Sequence, residues 1–394
     1  MSATAPPALA VAIVRARYNP FGGAERFVQR ALAALSSRGV ELTVIARRWS
    51  AAPPAEQALR LDFVRVDPFY VGSLWRDWSF ARGVHRALRG KHFAIVQSHE
   101  RIAGLPLYRA GDGVHAEYLA QRSRVLPAWR RAQLAVDPYH RYLLAAERRM
   151  FRHPALRAVI CNSEMVRDEI RERFGVDEAR LHLVRNGVDL QRFCPASREQ
   201  RAAARDRFTL EPDIPVFAFV GSGFERKGLA GAIRALAQLD ANRHALLLVA
   251  GSDRRAARYA ALADRLGVGA RVRFLGGVDD VRPVLWAADA FVLPTLYDPF
   301  PNAALEALAC GLPTLTSTKS GAAEVVRDGV NGFVCDALDY AGLAAAMARL
   351  ADADAGEREA MASAARDSVA GLSLDAMGAA LIALYGRLLE SARP

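Results

Sequence analysis

Arg226 and Lys227 stand side by side in Gly-Ser-Gly-Phe-Glu-Arg-Lys-Gly at 221–228, a glycine-bounded turn directly after the apolar run Val216–Val220. A guanidinium grips oxygens in pairs and an ammonium adds a point charge, so such a turn can hold an anion. Further along, Asp298 and Glu306 flank a helix start in Asp-Pro-Phe-Pro-Asn-Ala-Ala-Leu-Glu-Ala-Leu-Ala-Cys-Gly at 298–311. Carboxylates accept from hydroxyls. Cations in one segment and acids in the other therefore suit a nucleotide-activated sugar, with its diphosphate, ribose and hexose. The plainer alternatives are a solvated cation pair on a loop and a Glu306 that merely faces a helix dipole.

The elements that must position these residues alternate along the chain. Leu9 to Arg15 reads as a buried strand, Tyr18 to Gly23 as a turn, and Ala24, Phe27, Val28, Ala31, Leu32 and Leu35 recur at helical spacing until Gly39. Val40 to Ala46, Phe93 to Gln97 and Ala158 to Cys161 follow as strands, the last leading into Asn162-Ser163 as a helix cap. The second half repeats the scheme. Strands are expected at Val216 to Val220, Ala245 to Ala250, Val272 to Leu275, Ala290 to Leu293 and Thr314 to Thr316. Helices are expected at Leu229 to Leu239, Ala256 to Leu266, Val281 to Ala287 and Ala303 to Ala309. The pattern predicts an α/β protein of two doubly wound parallel-sheet, Rossmann-like domains facing one another across a cleft. We place the first at 1–190, the second at 191–372, and a final helix at 373–394 that crosses back to the N-terminal domain.

Composition sets the class. The 394 residues are 52% apolar and 24% charged, which fits two globular cores and excludes a disordered chain. No apolar run reaches the ~18 residues that span a bilayer, and Met1 to Ala10 lacks the basic start of a signal peptide, so a cytoplasmic protein is expected. Cys161, Cys194, Cys310 and Cys335 form no metal-binding spacing and read as reduced packing residues. The net charge of +11 is uneven: residues 1–185 hold 30 Arg and Lys against 17 Asp and Glu, residues 186–394 hold 23 against 25. An acidic partner would sit on the first half.

Four segments, in order, resemble one family: Asn-Pro-Phe-Gly-Gly-Ala-Glu-Arg at 19–26, Ala-Gly-Asp-Gly-Val-His-Ala-Glu-Tyr at 110–118, the turn at 221–228, and Leu-Glu-Ala-Leu-Ala-Cys-Gly-Leu-Pro at 305–313. Over nearly its whole length the chain resembles retaining glycosyltransferases of the GT-B fold, family 4, and more closely the lipopolysaccharide core glucosyltransferase I branch. That resemblance implies a hexosyltransferase taking a nucleoside diphosphate sugar, UDP-glucose above all, as co-substrate, with no required cofactor and no metal. It implies a lipopolysaccharide core or related glycolipid acceptor. Arg226 and Lys227 would neutralise the leaving diphosphate, Glu306 would accept from ribose hydroxyls, and Gly223, Phe300, Pro301, Asn302 and Ala303 would complete the donor site. The family pattern has Glu where this chain has Asp298, a carboxylate of shorter reach toward the donor sugar. Asp112 occupies the loop where related enzymes place a side chain beside the reacting carbon, and an Asx turn accounts for it equally well. A heptosyl- or mannosyltransferase of the same fold, or a GT-B epimerase, would share these motifs.

Other signals weigh less. Gly22 and Gly23 open the first expected helix, where bare backbone amides can approach a phosphate, or simply make a tight turn. Glu25 and Arg26 read equally as a solvated pair. His99 and Glu100 follow a strand end and His115 lies near Asp112, but a lone histidine is more often structural. From Arg122 to His153, eight arginines interleave with Leu126, Trp129, Tyr139, Tyr142 and Phe151. That stretch suits an anionic membrane surface at the inner face of a cell membrane or a phosphorylated glycolipid, or else arginine stems covering a core. Nucleic acid is a poorer fit and is not expected as a partner, because no recognised binding module accompanies the charge. Asp352 and Asp354, which spell a metal-binding Asp-x-Asp, read as surface.

Overall fold

The computed structural model describes residues 10–18, 41–49, 61–240 and 244–390. The chain divides into two compact units, residues 1–187 with 374–394, and residues 188–373.

The first unit is built on seven parallel strands: β1 (Ala10–Val14), β2 (Glu41–Ala46), β3 (Leu61–Arg65), β4 (Ile95–Ser98), β5 (Leu107–Arg109), β6 (Ala158–Cys161) and β7 (Leu181–Leu183). Their order in the sheet is β3-β2-β1-β4-β5-β6-β7. Strand β1 lies inside the sheet, third from one edge, its Val14 level with Ile45 of β2 on one side and Ser98 of β4 on the other. Val11, Ala12, Ile13 and Val14 are all buried, as expected of a parallel strand covered on both faces. Strand order reverses beside β1, so the carboxyl ends of β1 and β4 border the crevice where open α/β sheets bind ligands.

Helices α1 (Gly72–Leu88), α2 (His115–Ser123), α3 (Ala128–Val136), α4 (Pro138–Phe151) and α5 (Glu164–Phe174) accompany this sheet. Ser163 caps α5 as expected, its hydroxyl accepting from Val166 N at 3.2 Å.

The second unit carries α6 (Arg198–Arg207) and six parallel strands: β8 (Val216–Val220), β9 (Leu246–Ala250), β10 (Val272–Gly276), β11 (Ala290–Leu293), β12 (Thr314–Ser317) and β13 (Gly332–Cys335). The order is β10-β9-β8-β11-β12-β13, which again reverses beside the first strand of the unit. Its helices are α7 (Phe224–Lys227), α8 (Leu229–Gln238), α9 (Ala256–Arg265), α10 (Arg282–Ala287), α11 (Asn302–Ala309), α12 (Tyr340–Ala351) and α13 (Ala355–Ser368). Every residue of β8 and β9 is buried, so the two apolar runs form the middle of the second core.

The last helix, α14 (Leu374–Glu390), belongs to the first unit. Met377, Leu381, Leu384 and Tyr385 pack with Val11, Ile13, Val44 and Ile95. The Tyr385 hydroxyl donates to Gln97 Oε1 at 2.7 Å, a bond that ties the chain's end to β4. Asp354 caps α13, accepting from Glu357 N at 2.8 Å, which gives the Asp-x-Asp sequence a structural task. The four cysteines are free thiols. The expected helix from Ala24 and the glycine pair Gly22-Gly23, with Glu25 and Arg26, lie outside the described residues.

Candidate active site

In the second unit the chain leaves β8 at Val220 and turns at once into α7, a single turn between Gly223 (φ 75°) and Gly228 (φ 78°). A Cβ on Gly228 would lie 1.7 Å from the Pro294 carbonyl oxygen, so only glycine lets this turn press against the end of β11. The Arg226 carbonyl then accepts from Leu296 N at 2.8 Å and from the Thr295 hydroxyl at 2.7 Å. Backbone bonding thus fixes where the two cations start.

Both side chains end on one atom. Arg226 Nη1 lies 2.8 Å and Lys227 Nζ 2.5 Å from Oδ2 of Asp298. Asp298 is itself held in register: its N–H donates to Lys319 O at 3.0 Å and its carbonyl accepts from Gly321 N at 2.9 Å. Burial alone would raise the Asp298 carboxyl, but Lys227 and then Arg226 outweigh it and hold the group below its ordinary 3.8. Burial pulls the Lys227 ammonium down while Asp298 pulls it up, and burial has the larger effect. With a 2.5 Å contact and two cations on one oxygen, we take all three groups as charged. Lys227 is 11% exposed and Arg226 38%, so the guanidinium is the member of the trio that solvent or a ligand reaches.

Glu306 sits on α11, whose Ala304 to Ala309 face the core, and it is buried close enough for its charge to act on Lys227. The N-cap residue of α11 is Pro301, whose side chain makes no capping bond. Phe300 and Pro301 are buried ahead of it, Phe300 within the core, while Asn302 and Ala303 are half-buried in the first turn. The structure therefore gathers Arg226, Lys227, Asp298 and Glu306 into one cluster. The sequence separated the cations from Asp298 by about seventy positions, and nothing in their spacing announced the ion pair.

In the first unit, Arg15 directly follows β1, with Nη1 3.6 Å from Asp112 and 3.9 Å from Glu100. The Glu100 carboxylate accepts from Ala16 N at 2.9 Å. Burial raises its pKa, opposed by Arg15. These groups line a cavity of about 380 Å3 together with Arg76, Asp77 and Tyr142. The loop bearing Asp112 is fastened from behind: Arg101 donates to Glu147 at 3.0 Å and to the Gly113 carbonyl at 3.0 Å, and Glu147 also accepts from His115 N at 2.9 Å. The sequence pattern places Arg15 inside the first expected strand, whereas that strand ends at Val14 and leaves Arg15 at the crevice. The Arg101 and Glu147 pair carried no signal in the sequence.

The two histidines are placed as structural groups. His99 is buried and accepts from the Gln97 amide at 2.8 Å, and burial, with Arg109 and Arg15, holds it neutral. His115 pairs with His140 at 3.1 Å, and burial with the charges of Arg101 and His140 pushes its pKa down to about 3.

Comparison with known proteins decides the class. Residues 21–192 match the model of Glycosyltransferase Family 4, and residues 200–368 that of Glycosyl transferases group 1. The D-inositol 3-phosphate glycosyltransferase of Actinosynnema mirum is 31% identical over 93% of this chain and 92% of its own length. The chain belongs to the group 1 and family 4 glycosyltransferases.

Among these glycosyltransferases, the lipopolysaccharide glucosyltransferase WaaG of Escherichia coli K12 is 26% identical over 82% of this chain and 84% of its own. A crystal structure of WaaG, a glycosyltransferase involved in lipopolysaccharide biosynthesis, superposes with a TM-score of 0.81 at 25% identity, covering 94% of this chain and 99% of that one. The expected GT-B architecture is therefore present, and the protein is a hexosyltransferase. Anabaena HepE, solved in complex with UDP-glucose, shares the fold at a TM-score of 0.72 and 19% identity, covering 97% of this chain and 100% of its own. Among the described residues no His, Cys, Asp and Glu group is arranged to hold a metal ion, and no helix is long and apolar enough to cross a membrane.

Proposed function

We propose that this glycosyltransferase moves glucose from UDP-glucose to a lipopolysaccharide core or related glycolipid, with retention at the anomeric carbon, at the inner face of the cell membrane. Residues 191–372 take the donor and residues 1–190 the acceptor. The observation that carries this reading is the cluster of Arg226, Lys227, Asp298 and Glu306 at the reversal of strand order in the second sheet. Asp298 keeps the two cations aimed while the site is empty. A diphosphate would share them, and the leaving phosphate would take the proton of the incoming hydroxyl as the glycosidic bond forms. Glu306 would accept from ribose hydroxyls, Asn302 and Ala303 at the start of α11 would contact the donor, and a contact from Phe300 would come from its main chain. Asp112, beside Arg15 in the first cavity, would orient the acceptor hydroxyl or face positive charge at the reacting carbon.

Thermal shift against UDP-, GDP- and ADP-sugars tests the donor, since a ligand that binds only the folded state raises the melting temperature with its concentration. The anomeric proton coupling of the product then tests retention. Stabilisation by none of the three nucleotides, or a product of inverted configuration, would remove the proposal. A second reading has support from the inositol-phosphate relatives: a small phosphorylated polyol acceptor in the Arg15 cavity. An acceptor panel containing inositol phosphate and core oligosaccharide separates the two. For membrane contact, the exposed arginines of α3 in the 122–153 segment support an anionic surface, whereas α4 spends Met150 and Phe151 on the core.

A further inference from the structure

Helix α1 has two apolar faces. Ser79, Phe80 and Val84 face inward and are buried. On the outside, Val71 is 65%, Trp75 41% and Trp78 44% exposed, with Leu74 among them and Phe69, 76% exposed, just ahead. Positions 71, 74, 75 and 78 fall on one side of a helix. Phe69 and Trp75 meet edge to face at 5.7 Å, so the patch is ordered and not a scatter of single side chains. Core packing explains one face and leaves the other unexplained.

The same outer line continues as charge. Arg82, whose guanidinium lies 5.0 Å from the Trp78 ring, Arg86 and Arg89 follow at helical spacing, all exposed. The only acid of the helix, Asp77, points elsewhere and accepts from Arg76 at 2.7 Å and from the Tyr139 hydroxyl at 2.8 Å. Arg76 and Asp77 line the cavity that holds Arg15 and Asp112. One helix therefore shows a polar cavity wall on one side, and on the next a row of aromatic and aliphatic side chains running into a row of cations.

We propose that the outer face of α1 is a docking surface for an anionic lipid bilayer, lying in the interface with Phe69, Trp75 and Trp78 among the acyl chains and Arg82, Arg86 and Arg89 on the headgroup phosphates. Rings with cations alongside, and no acid on that face, match the chemistry of a negatively charged interface, where burial of apolar area and headgroup attraction add. Such seating holds the cavity beside the membrane plane, where the sugar of a glycolipid would be. The inference extends the glycolipid reading and gives it a surface distinct from α3.

The test is co-sedimentation of the full chain with vesicles of three parts phosphatidylcholine to one part phosphatidylglycerol, and with phosphatidylcholine alone. The expected result is binding to the anionic vesicles that weakens with salt, falls at least tenfold in Trp75→Ser/Trp78→Ser, and falls also in Arg82→Glu/Arg86→Glu. Both pairs are exposed, and unchanged thermal melts establish that the variants fold. Full binding by the tryptophan variant overturns the proposal, as does binding lost only in Arg130→Glu/Arg131→Glu, which would put the contact on α3. A wild-type dimer in mass photometry that Trp75→Ser/Trp78→Ser disperses would instead make this face a contact between copies. A chain that docks through α1 yet transfers no sugar to any glycolipid would sink the acceptor reading and leave the docking surface standing.

Discussion

The Lys227 ammonium and the Asp298 carboxylate meet at 2.5 Å, each held by main-chain bonds that do not depend on the other. A shorter acid in place of glutamate has thus become the internal counter-ion of the two residues expected to grip a diphosphate. An anion entering the site meets cations already aimed and already neutralised, so it must compete with Asp298. The competition makes the proposed donor site a place where removing a negative charge should help one step and harm another.

Asp298→Asn should show this division. Loss of the carboxylate leaves two cations facing one another, and removing one partner of a buried pair costs about 3 kcal/mol or more. UDP should recover that loss, so its thermal shift should be larger in Asp298→Asn than in the wild type, while turnover falls. Equal or smaller UDP shifts in the variant would show that Asp298 does not compete with the phosphates.

Lys227→Ala removes a donor aimed at developing charge, and such losses typically reduce turnover about 100- to 1000-fold. Asp112→Asn keeps its shape and should change donor affinity by far less. Steady-state rates with varied UDP-sugar check both, and equal small losses in the two variants would count against the assignment of Lys227 to the leaving group.

Gly223 and Gly228 both have positive φ, but their surroundings separate them. A Cβ on Gly223 meets nothing within 4 Å, so Gly223→Ala should cost only the left-handed backbone strain of about 1 to 2 kcal/mol. Gly228→Ala must also push Pro294 aside and break the bonds that fix Arg226. Urea melts should show the second variant much less stable, with donor binding lost, and similar stabilities would contradict the close approach.

Much of this could be read before the structure. The strands at Val216 and Ala290 and the helices at Leu229 and Ala256 carry long, regular patterns, and their ends fell within a residue or two. The strands Leu107–Arg109, Leu181–Leu183 and Gly332–Cys335 are too short to show a period, and Leu61–Arg65 is an edge strand with exposed positions. Arg226 and Lys227 drew notice in the sequence through residue type and turn chemistry, and Glu306 through the family resemblance alone. Asp298 as a counter-ion was not legible, since the pairing depends on strand order. Helix α1 was missed because its outer face carries Trp75 and Trp78 where a core helix carries polar groups, which blurs the amphipathic pattern.

Arg101 and Glu147 should act as positioning residues. They staple the Gly113 carbonyl and the His115 N–H, the two ends of the loop that presents Asp112. Glu147→Leu should lower kcat with acceptor while UDP affinity, which we propose the other unit sets, stays unchanged. Glu147→Gln keeps an oxygen for the His115 N–H and should retain more turnover than Glu147→Leu at matched stability. If both variants lose turnover only in proportion to their melting temperatures, the pair is merely structural.

His115 gives the fold a pH dependence of known sign. Its imidazole titrates near 6.5 when unfolded and near 3 when folded, because burial first, then the Arg101 cation, and any charge on His140 disfavour its protonation. Above about 6.5 both states are neutral and the full stability is present. As pH falls below that value the unfolded chain takes up a proton that the folded chain does not, so stability drops progressively toward pH 3. Between pH 7 and pH 5 the loss from this group is about 2 kcal/mol. His115→Gln, which cannot titrate, should be less stable than the wild type at pH 7 because its contact with His140 changes, yet should lose about 2 kcal/mol less on going to pH 5. Chemical denaturation at the two pH values measures the difference, and parallel losses in wild type and variant would show that His115 is charged in the folded protein.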